Sequence, residues 1–248
     1  MSTLPTKNAF FRLLAEPFTA EALFDHLPDI VFFVKDRDGR YLVVNHTLVE
    51  RSGRRHKAEL IGKRPSEVLG ETLGRGYERQ DQSVVQSGEA LVDQLELHII
   101  RSRDLGWCLT TKMPLSGGNG SIAGLVGVSK DLRLPDMSSS DFEHIAEAIA
   151  FAEQNLARRP SIRELAGIAG MSVFQLDRRM RRVFGLTTGQ WTLKTRISHA
   201  SRLLAETDMP IADVAFEAGY SDQSAFTRQF RRSAGLSPSQ YRKLRQSL

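Results

Sequence analysis

The sequence predicts two domains of different class. The front half is α+β, a five-stranded antiparallel sheet with helices; the back half is all-α and carries two helix-turn-helix units. Three observations predict this. Strand-like segments occur only up to residue 132, in the order two strands, helices, three strands. The composition changes at LRLPDMSSSD (132–141), where Pro135 and Ser138 to Ser140 read as a linker, and beyond it the apolar periodicity is helical. Finally, a segment of the back half recurs about fifty residues further on. The boundaries follow: a helical extension over 1–19, an α+β domain over 20–133, a linker over 134–140, and the helical domain over 141–248.

In the front half, NAFFRLLAEPFTAEALFDHL has helical apolar spacing and suits a dimer contact. LPDIVFFVKDRDGRYLVVNHTLVERSG (27–53) predicts a hairpin, strand VFFVK and strand RYLVVN meeting at the turn-forming cluster DRDG. KAELIGKRPSEVLG and 74–87 read as helices. LVDQLELHII (91–100), WCLTTKMPL (107–115) and IAGLVGVSKDL (122–132) read as strands, with GGNG turning between the last two.

In the back half, IRELAGIAGMSVFQLDRRMRRVFG (162–185) aligns with IADVAFEAGYSDQSAFTRQFRRSAG (211–235). The offset is 49 as far as Ser172 and Ser221, then 50, so that Leu176 matches Phe226, Arg178 matches Arg228 and Met180 matches Phe230. Each copy reads as helix, tight turn, helix. Ser161 with Glu164 forms a capping box. Gly170 and Gly219 supply the left-handed residue that ends the first helix. Ser172 with Gln175 caps the second helix, and Ser221 is the expected cap of its counterpart. Small Ala166 and Ala215 let the paired helices approach.

At ~100° per residue, Phe226 and Phe230 point inward, while Ser224, Thr227, Arg228 and Arg231 point outward. In the first copy Leu176, Met180 and Val183 point inward, and Phe174, Arg178 and Arg181 outward. A polar, arginine-bearing face near a capped helix N-terminus suits phosphate contact and base-edge hydrogen bonding. Arg232, farther along, is expected to contact phosphate or to be solvated. Thr187 with Gln190 caps a helix running to about Ala205, with Trp191, Ile197, Ala200 and Leu204 as its apolar positions. Two reading heads on one rod result, about one turn of DNA apart.

Charge points the same way. Residues 141–248 hold 16 Lys and Arg against 11 Asp and Glu, whereas 1–140 are balanced, so the whole excess of +5 lies in the helical half. A polyanion partner fits that asymmetry. No nucleophile–base pair, metal-ligand spacing or phosphate-binding glycine loop is recognisable, so catalysis, a metal and a cofactor are not expected. The single cysteine, Cys108, fits a reducing compartment and inert strand packing. His98 reads as a surface or pocket-edge residue. The N-terminus lacks a signal pattern and no apolar run approaches ~20 residues, so a cytoplasmic protein without membrane contact is expected.

These pieces resemble a known family. LAGIAGMS with LDRRMRRVFG, TTGQWTLKTRISHA, VAFEAGYSDQSAFTRQFRR and GLSPSQYRK together resemble the AraC/XylS transcription regulators over 141–245. The resemblance implies seven helices and two units seated in adjacent major grooves. It makes Phe174, Asp177 and Arg178 the first set of DNA-facing residues, and Gln223, Ser224, Ala225 and Arg228 the second. Ala225 is too small to hydrogen-bond a base, and Thr188 stands where many members have proline. PDIVFFVKDRDGRYLVVN, ELIGK and GLVGVSKDL resemble a PAS sensor domain over 20–133, which implies a five-stranded sheet cupped around a small-molecule pocket or used for dimerisation. Asn45 matches the asparagine that follows the second strand in many PAS domains, where helix capping is its plainest role. The resemblances imply a sequence-specific transcription regulator, an activator, with double-stranded DNA, RNA polymerase, a small-molecule effector and a second copy of itself as partners. The alternative is a sensor-like half that serves only as a ligand-free dimerisation scaffold.

Overall fold

A computed structural model of the chain describes residues 11, 13–14, 18–100, 104–118, 120–132 and 134–246. The helical extension expected over 1–19 falls outside the described residues except at Phe11, Leu13, Leu14, Phe18 and Thr19.

In the front half a short helix α1 (Glu21–Phe24) precedes strands β1 (Ile30–Asp36) and β2 (Tyr41–Val44). The DRDG cluster closes the hairpin: Asp36 Oδ1 accepts from the backbone of Asp38 and Arg40, and Gly39 takes a φ of 79°. Helix α2 (His46–Arg51), a 3-10 turn (Lys57–Glu59), α3 (Pro65–Leu69) and α4 (Glu71–Ser87) then cross the sheet. Strands β3 (Leu91–Ile100), β4 (Asp104–Ser116) and β5 (Ile122–Asp131) complete it in the antiparallel order β2-β1-β5-β4-β3. Asn45 caps α2, its Oδ1 accepting from Leu48 N, and does more besides. The same oxygen accepts from Phe32 N, while Nδ2 donates to the carbonyls of Phe24 and Ile30. One buried amide thus ties α1, β1 and α2 together.

Alternation along the strands divides the sheet into two faces. Val31, Phe33 and Lys35 of β1 and Glu96 and His98 of β3 look towards α2 to α4 and line a cavity there. The opposite face carries Phe32, stacked at 4.2 Å on Phe24, and Leu95, Leu97, Trp107 and Leu109. This second face is where the helical half packs.

The helical half comprises α5 (Ser140–Glu143), α6 (Ala146–Gln154), α7 (Ile162–Ile168), α8 (Val173–Phe184), α9 (Thr188–Glu206), α10 (Ile211–Glu217), α11 (Gln223–Ala234) and α12 (Pro238–Gln246). Ser139 caps α5, so the last serines of the expected linker start a helix instead. Two cores form, one around Leu176, Met180 and Ile149, the other around Phe226, Phe230 and Leu204. Leu95 enters the first and Leu97 the second, two residues apart on one face of β3. The halves are therefore docked along a strand rather than merely tethered. No described helix is long and apolar enough to cross a membrane.

Candidate nucleic-acid interface

The first helix-turn-helix unit is α7 and α8. Ser161 Oγ accepts from Glu164 N, Leu165 and Ala166 are buried, and Gly170 turns the chain with a φ of 64°. Ser172 and Gln175 complete a reciprocal capping box at α8, which occupies both side chains locally. Leu176, Met180 and Val183 fill the core beneath. Phe174 stands 77% exposed, with Arg178 and Arg181 exposed beside it.

The second unit, α10 and α11, repeats this plan with one correction. Ser221 is not the cap. The extra residue of this copy puts Asp222 at that position, where Oδ1 accepts from Ala225 N at 2.7 Å; Ser221 Oγ only donates to Asp222. A carboxylate serves the role as well as a hydroxyl and complements the positive end of the helix dipole. Phe226 and Phe230 are fully buried, in ring contact with each other and with Tyr220 and Tyr241. Gln223, Ser224, Arg228 and Arg231 are exposed, and Ala225 and Thr227 half-buried at the edge of that face.

The arginines divide by position in the same way in both units. Arg178 and Arg181 make no ion pair among the described residues, nor do their equivalents Arg228 and Arg231. The flanking positions are occupied. Arg179 and Arg182 both pair with Asp141 of α5, at 2.7 and 3.2 Å. In the second unit Gln229 Nε2 donates to Ser233 Oγ, and Arg232 Nε donates to Gln94 Oε1 of β3 at 3.0 Å. Arg232 is exposed, as the sequence leads one to expect, and through this one bond it also holds α11 to the sensor-like sheet.

Two anchors, half-buried Asp177 and buried Arg196, set the units on their rod. Asp177 is turned away from the outer face: its Oδ1 accepts from Thr188 N and Thr188 Oγ1, at 2.8 and 2.5 Å, which seats α8 on the first turn of α9. Threonine at 188 is what makes the second bond available. At the other unit, buried Arg196 of α9 donates to the carbonyls of Ala218 and Gly219 and lies over the Tyr220 ring at 4.0 Å. It fixes the turn before α11 by satisfying carbonyls at the end of α10. Gly219 has no alternative there, since a Cβ would lie 2.3 Å from the Leu156 carbonyl oxygen. Helix α9, with 19 residues, is about 28 Å long.

Sequence reasoning missed Arg196, which reads as one more cation in a charged helix. It also missed a cluster in the front half. The expected absence of His, Cys and carboxylate grouping does not hold in space: donor atoms of Glu96, His98 and Cys108 lie within 4.8 Å of one another. The register produces this, because Cys108 is the cross-strand partner of Glu96 and His98 sits two residues along on the same face. Burial works against charge on His98, but contact with Cys108 and the Glu96 carboxylate at 3.0 Å outweighs it and raises its pKa to about 10.

A sheet domain with an internal cavity, docked on two helix-turn-helix units that share one rod, defines a regulator class. Comparison with known proteins agrees. Residues 165–244 match the model described as a helix-turn-helix domain, and residues 24–134 match that of the PAS fold. The HTH-type transcriptional activator AarP of Providencia stuartii is 31% identical over 98 residues, covering 40% of this chain and 73% of that protein. The probable transcriptional regulator LumQ of Photobacterium leiognathi is 35% identical over 91 residues, and the chain spans only 37% of its length. A solved AraC-type transcriptional regulator from Chromobacterium violaceum matches at 25% identity and a TM-score of 0.39, over 42% of this chain and 92% of that one. The chain belongs to the AraC/XylS family of helix-turn-helix transcription regulators, with a PAS-like domain ahead of the helical one.

Proposed function

We propose that the chain activates transcription by binding double-stranded DNA through α8 and α11 in successive major grooves, with the PAS-like half controlling the availability of α11. The observation that carries this reading is the split of the arginines: positions 178 and 181, and again 228 and 231, are exposed and free of ion pairs among the described residues, while their neighbours are tied down. The rod of about 28 Å between the units approaches the ~34 Å separating major-groove faces on one side of DNA. Phe174, Arg178 and Arg181 read the first site; Gln223, Ser224, Thr227, Arg228 and Arg231 read the second. The backbone N–H groups that the caps at Ser172 and Asp222 leave free in the first turns of α8 and α11 are available to phosphates.

Control by the PAS-like half rests on what stands before α11. Thr227, Arg228 and Arg231 share a gap of about 360 Å³ with Arg79, Gln80 and Ser83 of α4. Parting of the halves would widen that gap and give a duplex fuller access to α11. A second copy of the chain and RNA polymerase complete the proposal, the first supplying paired sites and the second the activated step. Residues 138–248 should fold by themselves and bind the same DNA. Footprinting of the full chain, repeated with Arg178→Ala and Arg228→Ala, tests the reading. Two protected half-sites about one helical turn apart are expected, each variant losing one. Protection unchanged in both variants would overturn it.

A further inference from the structure

The cavity of the PAS-like half has chemistry of its own. It measures about 50 Å³ and lies between the inner sheet face and helices α2 to α4. Its charges are buried and nearly all paired. Asp81 bridges Lys35 and Lys112, at 2.5 and 2.6 Å. Glu96 pairs with His98 at 3.0 Å, and Asp131 with Arg51 at 2.5 Å.

Arg51 carries the unfilled donor. Its side chain is 8% exposed, and only Nη2 reaches Asp131 Oδ2. A two-pronged fork would also join Nη1 to Oδ1; here both atoms are buried without a partner. Arg51 lines the cavity, and Nη1 is its unbonded donor. A buried guanidinium N–H left unbonded is costly, and an anionic acceptor relieves it. Val31, Leu48, Leu69 and Leu73 make an apolar stretch of the wall, with Tyr41, Tyr77, Thr110 and Ser129 elsewhere on it. At ~10–15 Å³ per water-sized site, the cavity takes about three to five non-hydrogen atoms.

Resting on the proposed sensing role of this half, we propose that the cavity binds a short-chain monocarboxylate, the carboxylate accepting from Arg51 Nη1 and the alkyl group packing on Leu48, Leu69 and Leu73. Phosphate suits it less, having no apolar part for that wall. The guest would touch strand β3 at Glu96 and His98, whose neighbours Leu95 and Leu97 point the other way into the two DNA-binding cores. Occupancy is therefore one strand away from both reading units.

Calorimetric titration of the full chain with propionate, with its neutral isostere propionamide, and with inorganic phosphate tests the proposal. Saturable propionate binding is expected, with propionamide weaker by about tenfold or more and phosphate weaker still. Arg51→Gln should abolish the preference for the anion. Should Arg51→Gln fail to fold by circular dichroism, Leu69→Phe, which fills the cavity and leaves Arg51 in place, should abolish binding of propionate. Equal affinity for propionate and propionamide, tighter phosphate binding, undiminished binding by Leu69→Phe, or no binding of any probe would each overturn the proposal, the last favouring a ligand-free scaffold. Footprints measured on the same preparation separate this outcome from failure of the DNA-binding reading, which would remove protection whatever the cavity holds.

Discussion

Gly76→Val is the sharpest perturbation of the contact between the two halves. Gly76 lies within α4, where its bare Cα meets the backbone at the end of α11. A Cβ built there would sit 2.9 Å from the Gly235 carbonyl oxygen and 3.1 Å from its Cα. Both are backbone atoms, so no side chain can swing aside. Within α4 the substitution is harmless or mildly favourable, since glycine is the poorer helix former by a few tenths of a kcal/mol. The strain falls on the docked state alone, at about 1–3 kcal/mol for overpacking of this kind. If docking withholds α11 from DNA, that strain should appear as roughly 5- to 150-fold tighter apparent DNA binding, up to the affinity of residues 138–248 alone. Gly76→Ala should give a smaller gain in the same direction. The assay is a set of binding isotherms on footprinted DNA for wild type, both variants and the 138–248 fragment, with thermal melts alongside. Unchanged or weaker binding by a folded Gly76→Val protein would refute the reasoning.

Three further outcomes are expected. Arg228→Ala should weaken specific binding by ~1–3 kcal/mol and relax preference at one or two base positions; Arg179→Ala, which breaks a half-exposed pair with Asp141, should leave base preference unchanged, as competition binding on site and mutated DNA would reveal. Phe226→Ala removes a fully buried ring in contact with Tyr220 and Phe230 and should lower folding stability by ~3–5 kcal/mol, read by denaturant melts. His98 contributes stability that is complete below its ordinary pKa of 6.5 and is lost as pH rises through about 10; the melting advantage of wild type over His98→Gln should therefore shrink between pH 7 and pH 10.5.

Much of this was legible in the sequence because it depends on local periodicity. The five strands, the caps at Ser161, Ser172 and Thr187, the left-handed Gly170 and Gly219, and the inward Phe226 and Phe230 all follow from residues within one or two turns of each other. What escaped depends on contacts distant along the chain. A helical wheel shows the direction of Arg178 and Arg179 but not that Asp141, 38 residues away, waits for one of them. The family resemblance gives Asp177 a DNA-facing role that its bonds to Thr188 cancel, and no local pattern reveals that exposed Arg232 also bonds Gln94, 138 residues upstream. The Ser221 cap failed for a local reason: a one-residue insertion shifts the cap to the next polar side chain, and aspartate is as good a cap as serine.

The way the halves are joined follows from the two-residue period of β3. Leu95 and Leu97 enter separate cores, one under each reading unit, while Glu96 and His98 between and beside them face the cavity. Such a strand has no continuous choice of register: a slip of one residue would expose the leucines to the cavity charges and press Glu96 into the helical cores. A bound anion cannot therefore adjust the interface gradually through β3. It can tilt or displace the strand with both leucines still seated, or it can favour the state in which neither is. Strand β3 thus links both helix-turn-helix units to one cavity, beside Trp107 of β4, which packs against both cores and donates to Ser198 of α9; Arg232 on Gln94, next to Leu95, places the hydrogen bond between the sheet and α11 at that same point.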